Sequence, residues 1–262
     1  MERLMMNMRA RERLSTGVAL ALLAVLTLLA WYYLIEAASH VAMGHVDPHA
    51  MQGSSIPFVA MSVAMWSLMM VAMMLPGAGP MIVTFSTVVR RQSPSRAGVA
   101  PTWIFVAGYL TIWTGFSVLA ALGQWGLYTS AMLDTAMGRT GPLPGAGLLM
   151  LAGAFQWSAL KEACLAKCRT PLSFLLTEWR DGWRGAFVMG LRHGAFCVGC
   201  CWALMLLMFV GGVMSLAWMG GLALYMLAEK VIPAGRLFSR ASGLVLIAAG
   251  VALAAGSIVP AM

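Results

Sequence analysis

Long apolar runs separated by short polar and basic segments give this chain its pattern. Seven runs, near 16–35, 57–88, 101–123, 143–160, 185–210, 213–232 and 241–259, are long enough to cross the ~30 Å of a bilayer's hydrocarbon core. The pattern predicts an all-α fold, a polytopic transmembrane helical bundle of about seven spans, with residues 1–262 forming a single integral membrane domain. No internal repeat and no soluble domain is read. The first run follows an arginine-rich stretch and resembles a signal peptide, with Glu36-Ala37-Ala38-Ser39 as a weak cleavage site. Its apolar core of about 19 residues exceeds the ~7–15 of a signal core, so a retained helix is expected. The second run is longer than one simple span and contains Leu75-Pro76-Gly77-Ala78-Gly79-Pro80. Proline removes backbone donors and glycine loosens a helix, which predicts an interrupted second span. Gly211-Gly212 is the natural turn after the fifth run, with Gly220-Gly221 as the alternative. Pro171 to Arg184 mixes Phe, Leu and Trp with Glu, Asp and Arg, as an interfacial amphipathic helix does.

Composition strengthens the membrane assignment. Hydrophobic residues make up 61% of the chain against the ~45–50% of soluble domains, and charged residues only 10%. Fifteen of the seventeen Lys and Arg fall in four segments, at 3–13, 90–96, 161–184 and 230–240, separated by pairs of spans. This is the positive-inside pattern, which puts every basic segment in the cytoplasm, the N-terminus inside and the C-terminus outside. The expected location is the bacterial inner membrane. The net charge of +8 borders lipid, so anionic headgroups rather than nucleic acid are the expected partner.

Chemistry concentrates in the fifth run, Leu191 to Phe209, which carries Arg192, His193, Cys197, Cys200 and Cys201. At about 100° per residue, His193, Cys197 and Cys200 share an arc of roughly 60°, flanked by Cys201, Met205 and Met208. Thiolate and thioether favour Cu(I), whereas imidazole suits copper and zinc alike. The plain alternative is that cysteine packs as a small buried hydrophobe. Arg192 faces either the bundle interior or the interface, with Glu178 or Glu229 as its partner.

Three further groups extend this chemistry. Methionine supplies 23 residues, and Met61, Met65, Met69 and Met73 recur every four positions of the second run, a ladder for a soft ion or apolar packing. His40, His45 and His49 lie with Met43 and Met51 in the loop after the first run, suited to capturing copper outside. Cys164 and Cys168 stand at i and i+4 beside Lys161, Lys167 and Arg169, cations that favour thiolate, as an inner metal or redox pair.

The stretches 66–81, 160–174 and 190–214, with Glu229-Lys230, resemble a family of bacterial inner-membrane proteins described as predicted metal-binding. The resemblance implies a polytopic membrane protein with a metal site at the Cys/His positions, and supplies neither substrate nor reaction. Ligand softness makes copper(I) the expected ion, with zinc or haem as alternatives. The expected function is copper(I) transport or trafficking across the inner membrane. A periplasmic or cytoplasmic metallochaperone is the expected partner. The alternatives are a metal- or haem-dependent membrane redox enzyme and a copper storage or insertion chaperone for a periplasmic oxidase.

Overall fold

A computed structural model describes residues 2–42, 55–92, 100–133, 138–232 and 235–258. The described residues form α1 (Glu2–Ala42), α2 (Ser55–Gln92), α3 (Ala100–Thr129), α4 (Pro142–Phe155), α5 (Ala159–Arg169), α6 (Pro171–Glu178), α7 (Gly182–Met205), α8 (Met208–Gly211), α9 (Leu216–Val231) and α10 (Gly235–Ile258). Among them the architecture is all-α, apart from one isolated bridge between Leu133 and Thr140.

The expected seven spans are not all met by length. Among the described residues, Gly17–His40, Ile56–Arg91, Ala100–Thr129, Gly182–Gly211 and Arg236–Ser257 are each long and apolar enough to cross a membrane. A sixth is reached if α4 and α5, bent by 66°, count as one. The fourth run stops early because Gln156-Trp157-Ser158 breaks it: Ser158 caps α5 by accepting from the Lys161 amide at 3.1 Å and turns the chain aside. The sixth run yields a helix of 16 residues, α9, which starts after the left-handed turn at Gly212 (φ 101°). Gly212 is therefore the turn, and Gly220-Gly221 lies inside α9. The amphipathic segment is also shorter than expected, ending at Glu178 with Phe174 and Leu175 turned inward.

The second span is not interrupted. α2 runs unbroken from Ser55 to Gln92 with Pro76 and Pro80 inside it. Pro76 denies the Ala72 carbonyl its usual partner four residues on, and the Trp31 indole of α1 donates to that carbonyl at 3.2 Å instead. A neighbouring helix that satisfies the freed group lets proline persist within a membrane helix.

Small residues set the packing. α7 lies along α3, where a methyl group at Gly190 would fall on the Phe105 carbonyl and one at Gly108 on the Phe187 carbonyl. Gly190 and Gly194 are four apart, the spacing that lets membrane helices approach closely. Gly153 and Gly243 play the same part between α4 and α10. α2 packs between α1 and α3 and also meets α9, while α5 docks on α7. The buried core these contacts enclose includes Trp66, Met69, Met70, Met73, Met74, Phe85, Phe105, Tyr109, the face of α7 from Met189 to Met205, and Met208 of α8.

Candidate metal centre

Cys197, Cys200 and Cys201 are all buried on α7, as their shared arc requires. Cys200 and Cys201 each turn their thiols back along the helix to the Cys197 carbonyl, at 3.1 and 2.9 Å. α5 adds the other two cysteines. Cys168 is buried where α5 packs against α7. Cys164 packs at Gly199, where a β-carbon would meet its sulfur at 2.8 Å. The two cysteine groups, distinct in sequence, thus meet on one interface between α5 and α7, and all five cysteines are buried and unbridged. The 66° turn before α5 makes this meeting happen, because it lays Cys164 and Cys168 against the side of α7 instead of continuing α4.

Around Cys197 the polar groups are arranged one by one. The Tyr109 hydroxyl lies 3.3 Å from its sulfur and donates to the Met74 carbonyl at 3.2 Å. The Lys230 ammonium donates to the same sulfur at 3.2 Å. It reaches there over Gly77, where a β-carbon would stand 3.0 Å from Nζ. One turn before Cys197, His193 is buried in an aromatic cage, with ring centres of Tyr109 at 5.6 Å, Phe174 at 5.5 Å and Phe105 at 6.0 Å. Its Nδ1 is buried without a hydrogen-bond partner, as are Trp113 Nε1 and Gln156 Oε1. Among the described residues, no three His, Cys, Asp or Glu side chains converge as a ready-made metal cage.

The methionines divide. Met69, Met73, Met205 and Met208 are buried, Met65 is half-buried, and Met61 is 58% exposed at the start of α2. Met61 thus drops out of the buried ladder, because a four-residue spacing winds round the helix and carries its first member off the packed face. α2 and α7 run antiparallel, with Trp66 tilted against Phe209 of α8 at 5.6 Å at one level and the Met74 carbonyl joined through Tyr109 to Cys197 at the other. Met69 and Met73, with Met205 of α7 and Met208 of α8, occupy the stretch between those levels. His40 ends α1, 3.8 Å from Glu36, while His45 and His49 lie outside the described residues.

Two of the charged residues around this centre, Lys161 and Lys230, take roles their sequence neighbourhood did not disclose. Arg192 is paired with Glu178, one of the two partners expected for it, and keeps 44% of its side chain exposed. Lys161 does not serve the nearby thiols: it is buried in an ion pair with Glu229 at 2.8 Å. Glu229 also accepts from Tyr225 and Ser239, each at 2.7 Å. Lys167 turns to Thr177 and Arg169 to the Ile232 carbonyl. The cation that faces the thiols is Lys230, from the opposite end of the sequence. The signal for it was the adjacent Glu229-Lys230 pair near the end of an apolar run, an expensive placement for two charges unless each has a partner.

The family comparison agrees with the chemistry of this centre. Residues 63–253 match a protein family named PpoB2 and described as copper chaperone, while no curated protein and no solved structure matches the chain. The matched region covers more than half of the chain and contains α3 to α9 with every cysteine, so the chain belongs to the PpoB2 copper chaperone family.

Proposed function

We propose that this protein carries copper(I) within the bacterial inner membrane, with Cys197 of α7 and Cys168 of α5 holding the ion and Cys200, Cys201 and the orphaned Nδ1 of His193 as neighbouring donors. The observation that carries this is the burial of the α5 and α7 cysteines on one shared interface, with the Cys164 sulfur set against Gly199. Thiolates bind soft monovalent ions strongly, and thioethers bind them weakly enough to pass them on. Met69, Met73, Met205 and Met208 lead toward the cluster from the Trp66 end, so copper received there would step through thioethers to the thiols. His40, His45 and His49 are the proposed capture residues before that path. Cys164 lies beside the site at Gly199 and supports its packing.

Seven crossings fit this function, with the bent α4–α5 pair and α9 completing the five longer spans, and with the N-terminus in the cytoplasm. A second reading is supported by the family description, since a chaperone hands its metal to an acceptor. In that form the protein stores copper and inserts it into a periplasmic oxidase without net transport.

Metal analysis of the purified full-length protein tests the site. Wild type should retain Cu(I) or Ag(I) against a competing chelator, and Cys197→Ser and Cys168→Ser should each lose most of it. Equal retention by all three proteins rejects the cluster as the copper site. Cellular copper then separates the two functional forms: a deletion strain depleted of copper indicates transport. Unchanged copper with a copper oxidase failing to mature indicates insertion.

A further inference from the structure

We propose that Lys230 sets the charge of the ion this site accepts, selecting a monovalent soft cation over a divalent one; this rests on the copper reading above. Lys230 contacts the Cys197 sulfur at 3.2 Å, and no carboxylate among the described residues forms an ion pair with it. Its chain neighbour Glu229 is committed elsewhere, to Lys161, Tyr225 and Ser239. The buried Lys161–Glu229 pair is neutral as a unit, which leaves one uncompensated ammonium facing the thiols. Gly77 leaves α2 bare where the ammonium lies, so the position is built into two helices and not adopted by a free side chain.

Charge counting then decides. Two thiolates, the Lys230 ammonium and one Cu(I) sum to zero. Binding would form two copper–sulfur bonds, to Cys197 and Cys168, and each S–H proton these sulfurs carry would be released to solvent. The same site with Zn(II) or Cu(II) carries a net positive charge in a low-dielectric interior, which is strongly disfavoured. A third thiolate would restore neutrality for a divalent ion, but the neighbouring Cys200 and Cys201 thiols keep their protons on the Cys197 carbonyl, at 3.1 and 2.9 Å.

The test is chelator competition on the full-length protein in nanodiscs, with reducing conditions for Cu(I), run in parallel for Zn(II). Lys230→Met should weaken Cu(I) by about 10- to 100-fold, the range for a group that supports a metal ligand from outside its coordination sphere. It should leave Zn(II) unchanged or tighter, so the Cu(I)/Zn(II) preference falls by at least that factor. Lys230→Arg, which keeps the charge, should keep the preference. Gly77→Ala retains the ammonium but displaces it, and should lower the preference in part; it decides the matter if Lys230→Met does not fold. A preference unchanged in Gly77→Ala and in any folded Lys230→Met overturns the inference while leaving the copper site standing. Wild type that holds no Cu(I) overturns the copper reading itself.

Discussion

Lys161 and Glu229 are each about 2% exposed and 2.8 Å apart, so neither has water to fall back on. Glu229→Gln leaves the Lys161 charge buried without its counter-ion and should cost about 3–5 kcal/mol, read as a large fall in the thermal unfolding midpoint in detergent. Replacing both, as Lys161→Met with Glu229→Leu, should recover most of that loss, since a buried pair is often matched by apolar residues. A double variant no more stable than Glu229→Gln alone would show that the charges hold the fold in some other way. The two α5 cysteines should also behave differently: Cys168→Ser should lower Cu(I) affinity as much as Cys197→Ser, and Cys164→Ser far less. That His193, Cys197 and Cys200 share one buried face of α7 was legible from sequence because one helical arc aligns them. Lys230 and Lys161 were not. Glu229 and Lys230 are adjacent, yet one turns to α5 and the other to α7, and only tertiary packing fixes which.

Each helix shows how a local rule was followed or overridden. Proline in an apolar run argues for a break, yet α2 continues through Pro76, and the Trp31 indole takes up the Ala72 carbonyl from 41 residues away in sequence. Trp31→Phe should therefore destabilise the protein by about 1–3 kcal/mol, the cost of a buried carbonyl left unpaired. In a Pro76→Ala background, where the helix supplies its own donor, the same substitution should cost much less. Equal losses in both backgrounds would mean that Trp31 acts through bulk alone. At the α3–α7 crossing, Gly190→Val would drive a side chain into the Phe105 backbone and should abolish stable folding, measured by monodispersity after solubilisation. Apolar length made the long helices readable in the sequence. The halt of α4 at Phe155 was not readable, because Ser158 works as a cap only once the chain turns there.

Over the whole molecule, the ends of the helices sort by charge. Arg236 of α10 pairs with Glu162 of α5, and Arg169 of α5 reaches Ile232 after α9, so these helix ends gather on one side. Thr140 donates to Phe209 and Arg139 to Val210 on the opposite side, at the far end of α7. Reporter fusions after Arg184 and Arg240 should therefore read cytoplasmic and one after Met262 periplasmic; a cytoplasmic signal after Met262 would remove one crossing. The break at Gln156-Trp157-Ser158 has a mechanical side as well. α5 is a lever pivoted at Ser158, with Cys164 about 9 Å and Cys168 about 15 Å along it. Tilting that lever by ~10° displaces the Cys168 backbone by ~2.6 Å and that of Cys164 by ~1.6 Å. A two-thiolate bond length cannot absorb the larger movement, so a small swing of one short helix would separate Cys168 from Cys197 while the long spans stay still.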